Sequence, residues 1–209
     1  MQRPTLIAII DYGMGNVGSI ANMLRKVGAE ATITSDPDTI RAADKLILPG
    51  VGAFDNGMRE LNHRGLVPVL QREVVDRGKS ILGVCLGMQL FAESSEEGSA
   101  RGFGWIQGRA VRFPVAHAGS PIKVPHMGWN TTNPVHDDLL FDGLDADSRF
   151  YFVHSFHVTC DDSSVLARTR YGDQFVSAVR HRNIVGVQFH PEKSHRFGMR
   201  LLRNFAERG

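Results

Sequence analysis

A cysteine stands between two glycines in Gly83-Val84-Cys85-Leu86-Gly87, with an apolar run before it and a helical pattern after it. Small residues two before and two after a strand-to-helix turn let the side chain at its apex stand clear of the backbone. That is the pattern of a nucleophile elbow, with Cys in place of Ser. The start of a helix behind the sulfur favours the thiolate, and the Leu86 amide is placed to bind a developing oxyanion. A lone cysteine is more often a small buried hydrophobe, so the elbow needs a base.

Nine histidines compete for that role. His154 and His157 lie three apart in a strand-like segment, so they are expected to face opposite ways and to make a poor metal pair. His190 follows an apolar strand over 184–189 and precedes Pro191, which keeps it extended. Alternate residues of an extended chain share a face, which puts Glu192 beside the imidazole. A carboxylate there holds the tautomer and stabilises the imidazolium, while the other nitrogen serves Cys85. Alone, His190 and Glu192 read as a surface ion pair. With an elbow elsewhere in the chain, Cys85, His190 and Glu192 form a coherent set of nucleophile, base and acid.

Two other glycine-rich turns end apolar strands. Pro49-Gly50-Val51-Gly52 belongs on the same rim as Cys85, because sites in parallel α/β sheets gather at the carboxyl ends of strands. Spacing leaves open whether Val51 and Gly52 supply a second oxyanion donor or an ordinary loop. Gly13-Met-Gly15-Asn-Val-Gly18 matches a dinucleotide fingerprint, with Asp36 near the spacing of a ribose-binding carboxylate. Asp11 at the strand tip would repel a pyrophosphate, and Tyr12 crowds the turn. With 22 glycines in the sequence such matches arise by chance, and a tight βα turn is the simpler reading.

The elements that must position these residues alternate. Strands are expected over 6–10, 31–34, 45–48 and 80–84, with helices over 17–27, 66–76 and 86–92. Asp36 is taken to close the second strand. Strands separated by helices imply right-handed crossovers and a parallel sheet. After Gly102 short β segments follow over 110–113, 150–153, 156–159, 176–180 and 184–189. A hairpin turn is expected at 180–183 and an amphipathic helix over 197–207. The β-rich half would make the sheet mixed.

Composition agrees with this. With 209 residues, 42% hydrophobic and 22% charged, the chain is globular, and one domain over 1–209 is expected. A net charge of +2 without a run of five like charges argues against a nucleic-acid or membrane patch. Two cysteines, Cys85 and Cys160, are too few for a disulfide framework or a Cys-built zinc site. The apolar run at 6–10 is too short for a membrane span and meets Asp11. A cytoplasmic protein is expected.

On Gly83-Val-Cys85-Leu-Gly87-Met-Gln89 with His190-Pro-Glu192, the sequence resembles the triad class of glutamine amidotransferases. Within that class it is most similar to the glutaminase subunits of imidazole glycerol phosphate synthase. That similarity rests on Asp11-Tyr-Gly-Met-Gly-Asn-Val-Gly-Ser19, Pro49-Gly-Val-Gly-Ala-Phe54 and Gly83-Val-Cys-Leu-Gly-Met-Gln-Leu90. It continues in Val124-Pro-His-Met-Gly-Trp-Asn130, Tyr151-Phe-Val-His-Ser155 and Gly186-Val-Gln-Phe-His-Pro-Glu-Lys-Ser194. The resemblance implies a three-layer, flavodoxin-like α/β fold with a mixed, mostly parallel sheet. It implies hydrolysis of L-glutamine to glutamate and ammonia, without metal or organic cofactor. The ammonia would pass through a (β/α)8-barrel cyclase subunit, in a cytoplasmic heterodimer. There it would meet a phosphoribulosyl-formimino-aminoimidazole-carboxamide ribonucleotide and yield imidazole glycerol phosphate and an aminoimidazole carboxamide ribonucleotide. By the same resemblance Gln89 and Glu97 hold glutamine, with backbone from Gly52 and His154-Ser155-Phe156. The turn containing Asp11, Tyr12 and Asn16, together with Trp129 and Lys193, would face the cyclase. A glutaminase-sized domain leaves no room for an ammonia acceptor site, so that half of the reaction is expected on another chain.

Overall fold

Five consecutive apolar residues at Leu6–Ile10 are satisfied only by burial on both faces, and they form β1, an inner strand of the sheet. The computed structural model describes residues 5–117 and 120–208. After β1 come α1 (Val17–Lys26), β2 (Glu30–Thr34), α2 (Pro37–Ala42), β3 (Lys45–Leu48) and α3 (Phe54–His63). Then α4 (Leu66–Gln71), a π-helical turn at Arg72–Asp76, β4 (Ser80–Val84) and α5 (Leu86–Gln89) complete the first half. The second half adds β5 (Ser94–Ser95), β6 (Gly108–Arg112), β7 (Ala116–His117), β8 (Ser120–Pro121), β9 (His126–Thr131) and β10 (Asn133–Pro134). It ends with β11 (Arg149–His154), β12 (Phe156–Cys160), β13 (Val165–Tyr171), β14 (Asp173–His181), β15 (Ile184–Val187) and α6 (His195–Arg208).

The main sheet runs β10-β13-β14-β15-β4-β3-β1-β2. From β2 to β15 neighbouring strands are parallel, and the remaining three join antiparallel. The parallel part has the flavodoxin-like doubly wound order. The two-residue period of a strand sends its side chains into two cores. Ile7 and Ile9 of β1 pack with α1 and α6 through Ile20, Leu24, Leu201 and Phe205. Ala8 and Ile10 pack with α2, α3 and α4 through Ile40, Phe54, Leu61 and Leu70. These are the two outer layers. Of three smaller β groups, β7-β8 is a short pair, while β5-β6-β12 and β9-β11 carry the 126–130 and 154–156 segments.

Sequence reasoning missed α2, α3, β9, β13 and the two-residue strands β5, β7, β8 and β10. For α3 a signal exists: Phe54, Met58 and Leu61 repeat at helical spacing and are buried. For α2 the signal is a cap. Asp36 does not close a strand; its Oδ2 accepts from Thr39 N at 2.8 Å and Thr39 Oγ1 at 2.6 Å, with Pro37 starting the helix. The carboxylate that gave the dinucleotide fingerprint its acid therefore caps a helix. The helix after Cys85 is shorter than expected, Leu86–Gln89, and β15 stops at Val187. The hairpin at 180–183 forms, with Arg182 at φ 54° between β14 and β15.

Candidate active site

Cys85 sits where β4 turns into α5, at φ 55° and ψ −110°. A non-glycine residue in such a conformation costs roughly 1–3 kcal/mol and persists only where its surroundings over-determine it. They do so here. Cys85 N donates to Val187 O at 2.8 Å, and Met88 N and Gln89 N both donate to Cys85 O. Gly87 leaves no freedom either: a Cβ there would lie 1.9 Å from Leu48 O, so α5 touches the end of β3 directly. As the first residue of α5, Leu86 has an amide with no helical acceptor.

His190 follows β15 and is held by its own backbone. Its amide donates to Tyr151 O at 2.8 Å, and Ser194 Oγ donates to His190 O while accepting from Tyr151 N. Pro191–Lys193 is a 3-10 turn. That turn, rather than the extended chain expected from the sequence, returns Glu192 Oε1 to 2.8 Å from His190 Nδ1. Both side chains are buried, at 1% and 2% exposure. A carboxylate only accepts, so Nδ1 carries a proton. Nε2 is buried without a hydrogen-bond partner among the described residues, and His190 lines the same cavity as Cys85.

Burial alone would lower the His190 pKa. Proximity to Cys85, with the hydrogen bond and charge of Glu192, outweighs it and raises the imidazole from 6.5 to about 10. The sign of the consequence is fixed. A group raised on folding contributes its full stability below the unfolded value and loses it as pH climbs through the folded value. Thermal denaturation across a buffer series should therefore show stability falling between pH 6.5 and about 10. Glu192→Gln should flatten that fall. Equal slopes in both proteins would remove Glu192 from the account.

The glycine-rich turn after β3 is Pro49-Gly50-Val51-Gly52, with Gly52 at φ +104°, a conformation that favours glycine. One expectation is overturned here. Tyr12 does not face a partner: it is fully buried, and its hydroxyl donates to Pro49 O at 2.8 Å. The reason is topological. The fold's strand order reverses between β1 and β3, where doubly wound proteins hold nucleotides; Tyr12 bridges those two strand ends. Burial, with the charge of Cys85 second, pushes its phenol upward, so it stays a donor. Met14 abuts Gly52, and Gly15 leaves just enough room for Pro49 and Gly50. The apparent dinucleotide turn buttresses the Pro49–Gly52 turn.

A cavity of about 450 Å³ opens on Cys85 and His190. Val51, Gly52, Leu86, Gln89, Glu97, His154, Ser155 and Phe156 all line it, as do Ala53, Pro125 and Val153, which sequence reasoning did not single out. Glu97 Oε2 accepts from Phe54 N at 2.8 Å, capping α3 from a distant loop. Asp55 returns the tie, accepting from Ser99 N and Ala100 N, which hold its carboxyl below the ordinary range. The Gln89 carboxamide nitrogen donates to Phe156 O at 2.9 Å and to Gln188 Oε1 at 3.0 Å. Both of its hydrogens are used, so its oxygen is the polar atom left to meet a ligand N–H.

His154 and His157 do not face opposite ways. The strand breaks at Ser155, between β11 and β12, and both rings pack on Phe113. Among the described residues no three His, Cys, Asp or Glu side chains are grouped to hold a metal. His154 Nδ1 lies 2.8 Å from Phe156 O, so that nitrogen bears the proton. Its Nε2 then accepts from His126 Nδ1 at 3.1 Å, and His126 Nε2 from Asn130 Nδ2 at 3.3 Å. Burial lowers the two pKa values to about 3 and about 4, so both rings are neutral at pH 7. Sequence reasoning passed over His126.

Trp129 and Lys193 are exposed beside this wall. The Trp129 ring lies parallel to His195 and edge-on to Tyr151, and Lys193 Nζ is 5.6 Å from the Tyr151 ring centroid. Asn16 is exposed and caps α1, accepting from Ser19 N. Asp11 is half-buried, and its carboxylate accepts from Gly13 N. Among the described residues no helix is long and apolar enough to cross a membrane.

Residues 8–208 match the family model for glutamine amidotransferase class-I. A protein of Methanococcus maripaludis named imidazole glycerol phosphate synthase subunit HisH 2 is 53% identical over 96% of this chain and 98% of its own length. A Pseudomonas aeruginosa protein of the same name is 48% identical over 97% of this chain and 99% of its own. The crystal structure of a proposed GMP synthase component from Thermoplasma acidophilum superposes with a TM-score of 0.74, covering 99% of this chain and 94% of that one. At 21% identity it shows the fold alone.

Proposed function

The chain belongs to the class-I glutamine amidotransferases, and from that premise we propose that it is the glutaminase subunit of an imidazole glycerol phosphate synthase, releasing ammonia from L-glutamine for a cyclase partner in histidine biosynthesis. One observation carries the chemistry: Cys85 on its elbow and the His190–Glu192 pair open on one cavity of about 450 Å³. Relatives of 45–53% identity over nearly the whole chain, named HisH, support the choice among amidotransferases.

The reaction follows from the atoms. Cys85 attacks the side-chain carboxamide carbon as a thiolate, while His190 holds the proton. Amides of Leu86 and of the Val51–Gly52 turn receive the oxyanion. His190 Nε2 then gives its proton to the leaving nitrogen, the C–N bond breaks, and ammonia departs from a thioester. Water attacks the thioester, His190 takes its proton, and glutamate leaves as the sulfur returns to thiolate. Glu192 keeps the imidazole oriented throughout. Gln89 and Glu97, with the Gly52 and His154–Phe156 backbone, position the glutamine. No step calls on a metal or organic cofactor. Trp129, Lys193, Asp11 and Asn16 supply the surface for the cyclase, and a thiol nucleophile suits a cytoplasmic protein.

The test is a steady-state assay of glutamate release, alone and with the cyclase and its ribonucleotide ligand. Activity should be weak alone and rise at least about tenfold in the complex, equivalent to roughly 1.4 kcal/mol of barrier. Equal rates would instead mark a stand-alone glutaminase.

A further inference from the structure

Gln188 is fully buried immediately after β15, its amide still bonded to Ser177 O of β14 at 2.9 Å. Its side chain reaches the nucleophile: Nε2 lies 3.7 Å from Cys85 Sγ, within reach of an N–H···S bond. The orientation of this carboxamide follows from one fixed atom. Phe156 O can only accept, so Gln89 must turn its nitrogen toward it. That nitrogen is 3.0 Å from the Gln188 carboxamide, whose near atom must then be oxygen. The Gln188 nitrogen is left facing the sulfur. A flipped amide would set nitrogen against nitrogen on one side and oxygen against a thiolate on the other. Polarity therefore runs without a break from a backbone carbonyl of the cavity wall, through two glutamines, to the reacting atom.

We propose that Gln188 is a further catalytic residue, donating a hydrogen bond to the Cys85 thiolate while its oxygen keeps Gln89 turned for the substrate. This rests on the glutaminase reading. A thiol is a weak acceptor, whereas a donor facing a thiolate makes a charge-assisted bond. The contact thus favours the ionised sulfur over the neutral one. It acts twice in the cycle, once in raising the thiolate fraction and again when thiolate leaves the thioester. Lower basicity costs some nucleophilicity, but less than proportionally, since the attacking thiol responds to its pKa with a slope of about 0.4–0.5.

The experiment measures alkylation of Cys85 by iodoacetamide against pH, with the label located by mass spectrometry, in wild type, Gln188→Met and Gln188→Glu. Methionine removes both bonds. Glutamate keeps an oxygen for Gln89 and replaces the donor at sulfur with a carboxylate. Both variants should move the alkylation midpoint up by about one pH unit, a tenfold loss of thiolate at a given pH. KM for glutamine should rise in Gln188→Met and stay near wild type in Gln188→Glu, with kcat reduced in both. Unmoved midpoints would overturn the proposal, as would a shift confined to Gln188→Met with wild-type kinetics in Gln188→Glu. A readout on the unaltered protein guards against unstable variants: the Gln188 side-chain 15N resonance should titrate with the alkylation midpoint and be flat in Cys85→Ala. A resonance flat in wild type overturns the assignment as well. None of these alkylation or resonance measurements needs glutamine turnover, so a failure of the glutaminase reading would show separately, as absent hydrolysis with an intact midpoint shift.

Discussion

Cys85→Ala is expected to release no measurable ammonia from glutamine while the protein still folds. In the proposed mechanism Sγ forms the thioester, so without it no covalent intermediate can arise. A loss of at least about 10⁴-fold, roughly 5.5 kcal/mol of barrier, is the expected scale. The fold should tolerate the change. Alanine keeps the backbone contacts to Val187 and the start of α5, which do not involve the sulfur. Loss of one buried heavy atom costs on the order of 1 kcal/mol. Two measurements check this together: ammonia release, and labelling by a glutamine-like electrophile that should mark Cys85 in wild type and nothing in the variant. Retained hydrolysis would sink the mechanism. The His190 imidazole should also titrate lower in Cys85→Ala, because Cys85 is among the influences that raise it.

Gly87→Ala should be the most destabilising small substitution at the site. The added methyl would meet Leu48 O at 1.9 Å and Leu48 C at 2.9 Å. Both are backbone atoms of β3, so no rotamer relieves the clash, and α5 or the strand end must move. Overpacking of this kind costs typically 1–3 kcal/mol and occasionally more; about 3 kcal/mol is expected here. For a chain of this size that is a fall of roughly 10 °C in the thermal midpoint. The displaced strand end leads directly into Pro49, so the turn proposed to receive the oxyanion shifts and glutamine hydrolysis should fall as well. Gly18→Ala provides the contrast: a Cβ there meets nothing within 4 Å, in the first turn of α1. Its stability should hold or rise slightly. If both variants melted alike, close approach at Gly87 would not be what shapes the elbow.

Much of the site was legible because its signals are local. An apolar strand, small residues about a cysteine, and a histidine before Pro191 follow from properties of a few adjacent residues. The β1, β3 and β4 boundaries followed in the same way, since unbroken apolar runs have one stable outcome. Short amphipathic pieces such as α3 were harder, with only Phe54, Met58 and Leu61 to mark them. β9 was harder still: its large apolar side chains, Met127 and Trp129, are exposed, and its pairing with β11 lies across an intervening segment.

By itself the sequence indicated the alternation of elements, the strand-to-helix turn at Cys85 and the pairing of His190 with Glu192. Tertiary structure decided which distant pieces meet. β15 lies beside β4 in register, Val187 opposite Val84, and only that pairing sets Gln188 against the sulfur and His190 on the same cavity. It also decided that Tyr12 is interior and that Asp36 is a cap, where the resemblance put Tyr12 at a partner surface and spacing offered Asp36 to a ribose. The physical reason is that propensity and spacing act over a few residues, whereas strand order and register are chosen by how whole apolar faces cover one another. The Phe156 carbonyl shows the difference most sharply. Every residue has such a carbonyl, and only the packing of β12 against α5 makes this one the acceptor that orients Gln89, Gln188 and His154.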